Sequence, residues 1–338
     1  MLAGQLALTI AVVASTAALV SLLIHLLKPM LVRYLLAHPN ARSSHSVATP
    51  QGAGVAVILA LLIICAAAWL LWRAPEGAMA FIPVLGAACG LTVLGLADDA
   101  RALPVSWRFL GQTLAALVTV MSLPEGLRLF PGLLPPVVER ALLVLGTVWL
   151  VNAVNFLDGL DWITAAQVVP MTLGVAVLQV MGAVPASVGF LAVVLLGAML
   201  GFAVFNKPPA QVFLGDAGSL PIGLVLAFML IFVAGTNLAS ALLLAFYTIA
   251  DSTITLIRRA LKREHIFSAH RSHFYQRAVI AGMTAPQVTA RIFVLGLLLA
   301  SLAVAAMIVH STIGDVSLLG LGAIATGYVL YLLSRGAK

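Results

Sequence analysis

The chain contains 338 residues, of which 62% are hydrophobic and 9% are charged. A soluble domain of this size could not cover its surface with so few polar side chains, so soluble globular folds are excluded. The composition predicts an all-α fold, a polytopic helical bundle in a membrane.

Eleven apolar stretches of near-spanning length follow one another along the chain and predict about 11 transmembrane helices. The first, from about Leu6 to Leu27, has no basic residue before it and exceeds the core of a signal peptide, so we expect a retained helix. The stretches begin near Leu6, Ala53, Met79, Arg108, Ala141, Trp162, Val184, Leu220, Leu238, Gln287 and Ser317.

Basic residues predict the orientation of these helices, because cytoplasmic loops of membrane proteins are enriched in Lys and Arg. With the N-terminus outside, 15 of the 18 basic residues fall on the inner side, and the outer side keeps Arg73, Arg128 and Arg140. We therefore expect the N-terminus outside and the C-terminus in the cytoplasm. The net charge of +7 then reflects topology and attraction to anionic lipid, and no nucleic-acid partner is expected.

Acidic residues gather on the side that this orientation makes cytoplasmic. Seven of the eleven lie there, in four segments that each have a distinct polar pattern, which predicts an active-site cleft on the cytoplasmic face. They are Asp98, Asp99, Asp158, Asp161, Asp216, Asp251 and Glu264.

The first segment, GLADDARALPVSWRFLGQ, ends the third predicted helix with Asp98 and Asp99 and opens the fourth with Arg108. Adjacent carboxylates repel each other, so a metal, or a phosphate-bearing substrate with its metal, would explain the pair. Solvation of a helix end at the membrane surface is the structural alternative.

The second segment, NAVNFLDGLD, places Asn152, Asn155 and Asp158–Gly159 at every third position, on one inner face of a helix near its end. Gly159 allows a turn or a close approach to the backbone. Capping accounts for one or two such residues, whereas a polar stripe of four in a membrane helix favours a functional role.

In the third segment, FNKPPAQVFLGDAGSLPIG, two prolines end the seventh helix and a Gly-rich turn around Asp216 precedes the eighth. Free N–H groups at a helix N-terminus suit phosphate, and the carboxylate suits a hard cation. The structural alternative to phosphate and cation binding is that this segment is an ordinary turn with a serine cap. Phe213, just before this turn, has two interpretations: a platform on which a nucleotide base stacks, or packing within the membrane.

The fourth segment, DSTITLIRRALKREHIFSAHRSHFYQRA, is the longest polar loop. His270 and His273 have a spacing that zinc sites also use, but neighbouring arginines such as Arg271 oppose a cation, which favours an anion or sugar-phosphate clamp. Asp251 lies inside the ninth helix on the same face as Arg258, consistent with either a buried ion pair or a direct role.

Two classes of function fit these features. A transporter would place ionisable groups near the middle of the membrane and often contains an inverted repeat, and we find no repeat. Carboxylates, a Gly-rich turn and basic loops at one interface favour metal-assisted phosphate chemistry between a water-soluble and a lipid substrate.

Four motifs, in the same order, resemble those of the polyprenyl-phosphate N-acetylhexosamine-1-phosphate transferases, the MraY/WecA superfamily or glycosyltransferase family 4. They are DDARAL with Arg108 and Gln112, NxxNFLDGLD, FNKPPAQVFLGDAGSLPIG and AHRSHFYQR, between about His38 and Arg277. The last motif resembles the WecA and WbpL-like branch rather than the triple-His loop of the MraY branch.

The resemblance implies a single membrane transferase domain over residues 1–338, with a cytoplasmic substrate-recognition loop at 258–286. The family transfers N-acetylhexosamine-1-phosphate from a UDP-sugar to undecaprenyl phosphate, leaves UMP, and requires Mg²⁺ or Mn²⁺. It works in the bacterial inner (cytoplasmic) membrane, in contact with membrane lipids, and is often a homodimer. The branch implies the initiating step of O-antigen, lipopolysaccharide or related surface-glycan synthesis.

The resemblance also implies roles for individual residues. Asp98, Asp99 and Asp158 resemble catalytic residues, the first two handling the lipid phosphate and the third facing the pyrophosphate, and Asp216 resembles the metal ligand. The residues similar to the nucleotide site are Asn152, Asn155, Leu160, Asp161 and Phe213. Those similar to the sugar and phosphate contacts are Arg42, His45, His270, Arg271 and His273.

Four positions depart from the family pattern. The family commonly has a second glycine where this chain has Trp162, and the loop before the second helix carries His38 for an acid, Gln51 for a base and Ala53 for a glycine. None of these changes removes a core carboxylate, so we expect an active enzyme.

Overall fold

A computed structural model describes residues 2–37, 47–72, 81–265 and 270–336. Strands β1 (Leu36–Ala37) and β2 (Thr49–Pro50) pair antiparallel, with Leu36 opposite Pro50. All other regular structure in the described residues is helical, which confirms the all-α prediction. The twelve helices are α1 (Leu2–Tyr34), α2 (Gly54–Trp72), α3 (Phe81–Ala100), α4 (Val105–Met121), α5 (Pro136–Phe156), α6 (Ile163–Val180), α7 (Ala186–Phe205), α8 (Asp216–Thr236), α9 (Leu238–Leu261), α10 (Phe274–Ile280), α11 (Ala285–Val309) and α12 (Thr312–Arg335).

Each of the eleven predicted apolar stretches corresponds to one helix, α1 to α9, α11 or α12. Ten of these helices are long and apolar enough to cross a membrane, and α4, with 17 residues, is shorter. The chain is therefore a multi-pass membrane protein. Helix α10 was not predicted, because its seven residues lie within a polar loop. The orientation of the bundle stays a prediction.

Helix α5 begins at Pro136, upstream of the predicted start near Ala141. The extra turn contains Glu139, a charged residue. In the structure this carboxylate accepts a hydrogen bond from Arg128 Nε at 2.8 Å and another from the backbone N–H of Leu129. The pairing offsets the cost of burying the charge, so the helix extends past it.

Helix α8 is the centre of the bundle, with 94% of its span buried, and it packs against α3 and α5. Two glycines allow neighbouring helices to approach its first turn. A Cβ on Gly95 of α3 would lie 2.3 Å from the carbonyl oxygen of Asp216, and one on Gly54 of α2 would lie 2.1 Å from Gly218 Cα. This contact fixes Asp216 beside the C-terminal end of α3.

Candidate active site

The ends of α3, α4, α5 and α8 bring acidic and basic side chains together around Arg108. The Arg108 guanidinium lies 3.2 Å from Asp98 Oδ2 and 3.2 Å from Asp216 Oδ2. It also donates to Asn155 Oδ1 at 3.5 Å. Three predicted site residues from three different helices therefore surround one cation, which offsets the repulsion between the two carboxylates.

Asp99 faces away from this arginine, towards the first turn of α8. Its Oδ1 accepts the backbone N–H of Asp216 at 3.0 Å and its Oδ2 that of Ala217 at 3.1 Å. A carboxylate in this position satisfies N–H groups that a helix leaves unpaired and interacts favourably with the helix dipole. The two adjacent aspartates thus differ: Asp98 contacts Arg108, whereas Asp99 holds α8 in place.

The asparagines of α5 also differ. Asn155 donates from Nδ2 to Asp216 Oδ1 at 2.7 Å and to Ser219 Oγ at 2.9 Å, so it belongs to the acidic cluster. Asn152, one turn earlier, donates to Gln112 Oε1 of α4 at 2.6 Å. The structure therefore places Asn152 in the contact between α4 and α5 and does not show it bonded to the cluster.

The loop between α5 and α6 carries Asp158, whose Oδ1 accepts a hydrogen bond from the Thr164 hydroxyl. Burial raises the pKa of Asp158 well above its ordinary value, and the negative charges of Asp216 and Asp99 raise it further, against the lowering effect of the Thr164 hydrogen bond. A carboxyl in this environment keeps its proton to a higher pH than an exposed carboxyl does.

The rest of this loop is locked to the segment that follows α7. Asp161 is buried and accepts the backbone N–H of Ala210 at 3.0 Å, and Leu160 is buried in the core. Phe213, in the same segment, is half-buried and pairs with the loop before α2, its N–H donating to the Pro50 carbonyl at 2.8 Å. Three of the residues predicted for the nucleotide, Leu160, Asp161 and Phe213, therefore come from two segments that contact each other.

Trp162 has φ 66°, in the left-handed region that disfavours bulky residues. This conformation gives a physical reason for the glycine common at this position in the family. Here two hydrogen bonds hold the tryptophan: its backbone N–H donates to Asn206 Oδ1 and its indole N–H to the Ala203 carbonyl, both at 2.7 Å. The departure at Trp162 thus strengthens the contact of its loop with the end of α7.

The histidine loop, residues 270–273, contacts the end of α5 through a tilted pair of rings, Phe156 and His273. The His273 ring lies 5.0 Å from that of His270 and 6.0 Å from those of Phe156 and Tyr275. His273 is buried, and its Nδ1 is 3.1 Å from Asp251 Oδ1. This part of the predicted sugar and phosphate loop therefore lies beside the Asp158 loop.

Asp251 is the anchor of the histidine loop. Besides His273, its Oδ1 accepts the backbone N–H of Phe274 at 3.2 Å, and its Oδ2 accepts the Tyr247 hydroxyl at 3.1 Å. The ion pair with Arg258, one of the two alternatives for Asp251, does not form: that guanidinium lies over the Phe274 ring, 5.4 Å from its centroid.

Three other placements complete the predicted set. Arg271 lies in the described part of the histidine loop, with its Nε buried. Arg42 and His45, as well as the departure at His38, lie outside the described residues. Gln51 donates to the Asp99 backbone carbonyl at 2.8 Å, which ties the loop before α2 to the end of α3.

Sequence reasoning assigned no role to Arg108, Thr164 or Tyr275. Arg108 was visible only as part of a motif, and its bridging position depends on helix packing. Tyr275 is buried, its hydroxyl donates to the Phe156 carbonyl at 3.2 Å, and burial raises its pKa. A Cβ on Gly159 would lie 2.2 Å from that hydroxyl oxygen, so the close approach that this glycine allows is made by a side chain of the protein.

The fold and the site together define a multi-pass membrane protein. At one end of its bundle, a cluster of carboxylates around Arg108 lies near the histidine loop. The Glycosyl transferase family 4 model matches residues 81–234, from the start of α3 to the end of α8.

Curated relatives extend this match. The decaprenyl-phosphate N-acetylglucosaminephosphotransferase of Mycobacterium leprae is 31% identical over 291 residues, covering 73% of this chain and 70% of the relative. A probable undecaprenyl-phosphate N-acetylglucosaminyl 1-phosphate transferase of Bacillus subtilis is 28% identical over 259 residues, with the same coverage. The phospho-N-acetylmuramoyl-pentapeptide-transferase of Lacticaseibacillus paracasei is 45% identical over 89 residues, 25% of this chain and 27% of the relative. The chain belongs to glycosyl transferase family 4, within the MraY/WecA superfamily of phosphosugar transferases.

Proposed function

We propose that this protein transfers N-acetylhexosamine-1-phosphate from a UDP-sugar to undecaprenyl phosphate, as the initiating step of O-antigen, lipopolysaccharide or related surface-glycan synthesis. An oxygen of the lipid phosphate attacks the sugar-bearing phosphorus. The bond from that phosphorus to UMP breaks, and UMP leaves with the electron pair. We place the reaction at the cytoplasmic face of the bacterial inner membrane.

The observation that carries this proposal is the position of Arg108 between Asp98 and Asp216. Two phosphate groups that react must approach each other as anions, so the site needs fixed positive charge. An arginine supplies a planar fork of donors for phosphate oxygens, and its carboxylate partners hold it in position. The polar ends of four helices supply such a site beside an apolar surface.

The donor set also fits a hard divalent cation. The carboxylate oxygens of Asp98 and Asp216 and the amide oxygen of Asn155 all lie around the Arg108 guanidinium, and these oxygens are the ones that would hold the cation. Oxygen ligands suit Mg²⁺ or Mn²⁺, which bind through one or two carboxylates together with substrate phosphates. When bound there, the cation would offset phosphate charge.

Asp158 is our candidate for the group that holds a proton. Its raised pKa makes the carboxylate form a stronger base, which can take a proton from the attacking lipid phosphate. The Thr164 hydroxyl orients one of its oxygens. Asp99 accepts two backbone N–H groups from the first turn of α8 and so holds this turn beside the end of α3. We assign it a positioning role.

The two ends of the UDP-sugar then lie at different loops of the site. The loops that carry Asp161 and Phe213 offer a half-buried aromatic ring and a carboxylate beside the acids, which suits a nucleotide base. The loop of His270, Arg271 and His273 lies beside Asp158, where donor groups can meet the sugar and the diphosphate.

Isotope exchange tests the proposal. Purified protein is incubated with undecaprenyl phosphate, Mg²⁺, labelled UMP and a panel of UDP-N-acetylhexosamines. We expect label to enter one donor, because the reaction is reversible, and the donor that acquires it identifies the sugar. Exchange should stop when the metal is chelated and in Asp216→Asn, and continue in Glu125→Gln, which changes an exposed acid far along the chain from the cluster.

Exchange that persists in Asp216→Asn would contradict the assigned site. No exchange with any donor, in wild-type protein shown to be folded, would overturn the proposal and favour a membrane transporter of a phosphorylated or lipid-linked substrate.

A further inference from the structure

Gln167 is a buried polar side chain of α6 to which the proposed reaction assigns no role. It is 5% exposed and lies one turn into the helix, where a polar group without partners would be costly. Its amide nitrogen Nε2 donates to two carbonyl oxygens, that of Ile163 at 3.2 Å and that of Leu157 at 3.5 Å. These carbonyls lie at the two ends of the loop that carries Asp158, so one side chain contacts both ends of that loop.

The same two carbonyls flank a hydrogen bond of the candidate active site. Leu157 directly precedes Asp158 in the chain. Ile163 directly precedes Thr164, whose hydroxyl donates to Asp158 Oδ1. The backbone positions of these two segments determine where the carboxyl and the hydroxyl lie. Gln167 therefore holds the residue before each member of the Asp158–Thr164 pair.

Thr248 of α9 fixes the orientation of the Gln167 amide. Its hydroxyl donates to Gln167 Oε1 at 2.9 Å, and both side chains are buried. A reversed amide would place its oxygen against the two carbonyl oxygens of the loop, which have no proton to donate. The hydroxyl and the carbonyls thus select the orientation in which the NH2 group of the amide faces the loop.

The polar side of α9 also supports the neighbouring parts of the site. One turn after Thr248, the Ser252 hydroxyl donates to the Ala153 carbonyl, near the end of α5, at 3.4 Å. Asp251, also on α9, bonds to the histidine loop. Helix α9 therefore contacts the end of α5 and the histidine loop directly, and Gln167 links it to the Asp158 loop.

We propose that Gln167 is a positioning residue for the phosphosugar transfer, which sets the relative position of the Asp158 carboxyl and the Thr164 hydroxyl, and that Thr248 orients its amide. The inference rests on the proposed function, because it concerns the carboxyl that takes the proton in that reaction. A small displacement of a reacting group slows the chemical step. The residues assigned to the substrates stay in place, so the loss of Gln167 changes kcat rather than KM.

Steady-state transfer kinetics test the inference. Gln167→Met keeps the length of the side chain but removes the amide donor and acceptor. We expect kcat to fall about tenfold or more, with the KM for undecaprenyl phosphate and for the UDP-sugar within about twofold of wild type. Gln179→Met is the matched control and should keep the wild-type kcat, because it makes the same exchange about 18 Å further along α6. Equal kcat values in the two variants, or a KM that rises as much as kcat falls, would overturn the inference.

A second set of variants covers the case in which Gln167→Met does not fold. Thr248→Val removes the hydroxyl that orients the amide, and Thr248→Ser retains it. We expect kcat to fall about fivefold in Thr248→Val, the factor for one neutral hydrogen bond, and to stay within about twofold of wild type in Thr248→Ser. Thr172→Val is the control, because Thr172 is also buried and its hydroxyl donates to carbonyls of its own helix. Equal kcat values in Thr248→Val and Thr172→Val would contradict the assignment.

A double-mutant cycle separates positioning from a general loss of packing. Thr164→Val removes the hydroxyl that bonds to Asp158, so it should lower kcat by itself. Combined with Gln167→Met or Thr248→Val, it should give a kcat at most about twofold below that of the slower single variant, because both changes act on the same pair. Losses that multiply would refute a role through this pair. A wild-type protein that transfers phosphosugar but whose variants fail these tests refutes this inference alone, whereas folded wild-type protein without transfer refutes the proposed function.

Discussion

The contact between Gly159 and Tyr275 joins the Asp158 loop to the histidine loop, and changing Gly159→Ala tests its importance. The new Cβ would lie 2.2 Å from the tyrosine hydroxyl oxygen and 3.3 Å from its Cζ, whereas ordinary contacts lie between 3.4 and 4 Å. Tyr275 is 1% exposed and cannot swing away. Overpacking of this kind costs about 1–3 kcal/mol, and we expect Gly159→Ala to lie in this range.

Tyr275→Phe provides the second arm of a double-mutant cycle. It removes the hydroxyl that donates to the Phe156 carbonyl and costs about 1 kcal/mol alone. It also removes the atom that a Cβ at position 159 meets first, and leaves a contact of 3.3 Å that small shifts can relieve. The double variant should therefore be about as stable as Tyr275→Phe, with a coupling of about 1–2 kcal/mol.

Thermal unfolding in detergent measures the cycle, and labelled UMP exchange measures its effect on activity. We expect a lower Tm and reduced exchange in Gly159→Ala, with partial recovery of both in the double variant. Gly146→Ala is the control, because a Cβ on this helical glycine meets no atom within 4 Å. Additive losses in the double variant, or a Gly159→Ala protein as stable as wild type, would refute the reasoning.

Three further predictions concern the anchors of the site. Asp251→Ala leaves the donors that bond to this carboxylate unpaired in the core, including the ring of His273. We expect its free energy of unfolding to fall by about 2–4 kcal/mol, and that of Asp251→Asn to fall less. Equal Tm values for the wild type and the two variants would contradict this. Trp162→Phe keeps an aromatic ring but leaves the Ala203 carbonyl unpaired, which should lower stability by about 1 kcal/mol and raise the KM for the UDP-sugar more than that for the lipid. In metal-free buffer, the Tm of Asp158→Asn should rise relative to that of the wild type as the pH rises above about 4, the ordinary value for a carboxyl. A raised carboxyl pKa makes the wild type lose stability as the pH rises from that value towards the raised one, and a Tm difference independent of pH would exclude the shift.

Much of the architecture follows from local composition. Spanning helices need about 20 apolar residues in succession, so each of the eleven stretches was visible in the sequence alone. Proline and glycine pairs marked the ends of helices, as at the start of α8. The sequence also revealed which chemical groups are unusual for a membrane protein, because Asp98, Asn155, Asp158 and Asp216 are costly there without a function.

The partners of those groups depended on tertiary structure. Asp98 and Asp99 are adjacent and chemically identical, yet one contacts Arg108 and the other caps α8, since successive helical residues point about 100° apart. Likewise Asp251 and His273 lie 22 residues apart, and their contact arises from the return of the chain over α9. Spacing along the chain holds no information about such contacts.

The sequence by itself determined that this is a helical membrane protein, which stretches form its long apolar helices and which polar residues need an explanation, because these properties depend on short runs of residues. Only the tertiary structure decided that Arg108 bridges two acids and that Gly159 makes room for Tyr275. Each of these depends on the distance between helices, which is set by packing of side chains far apart in the chain.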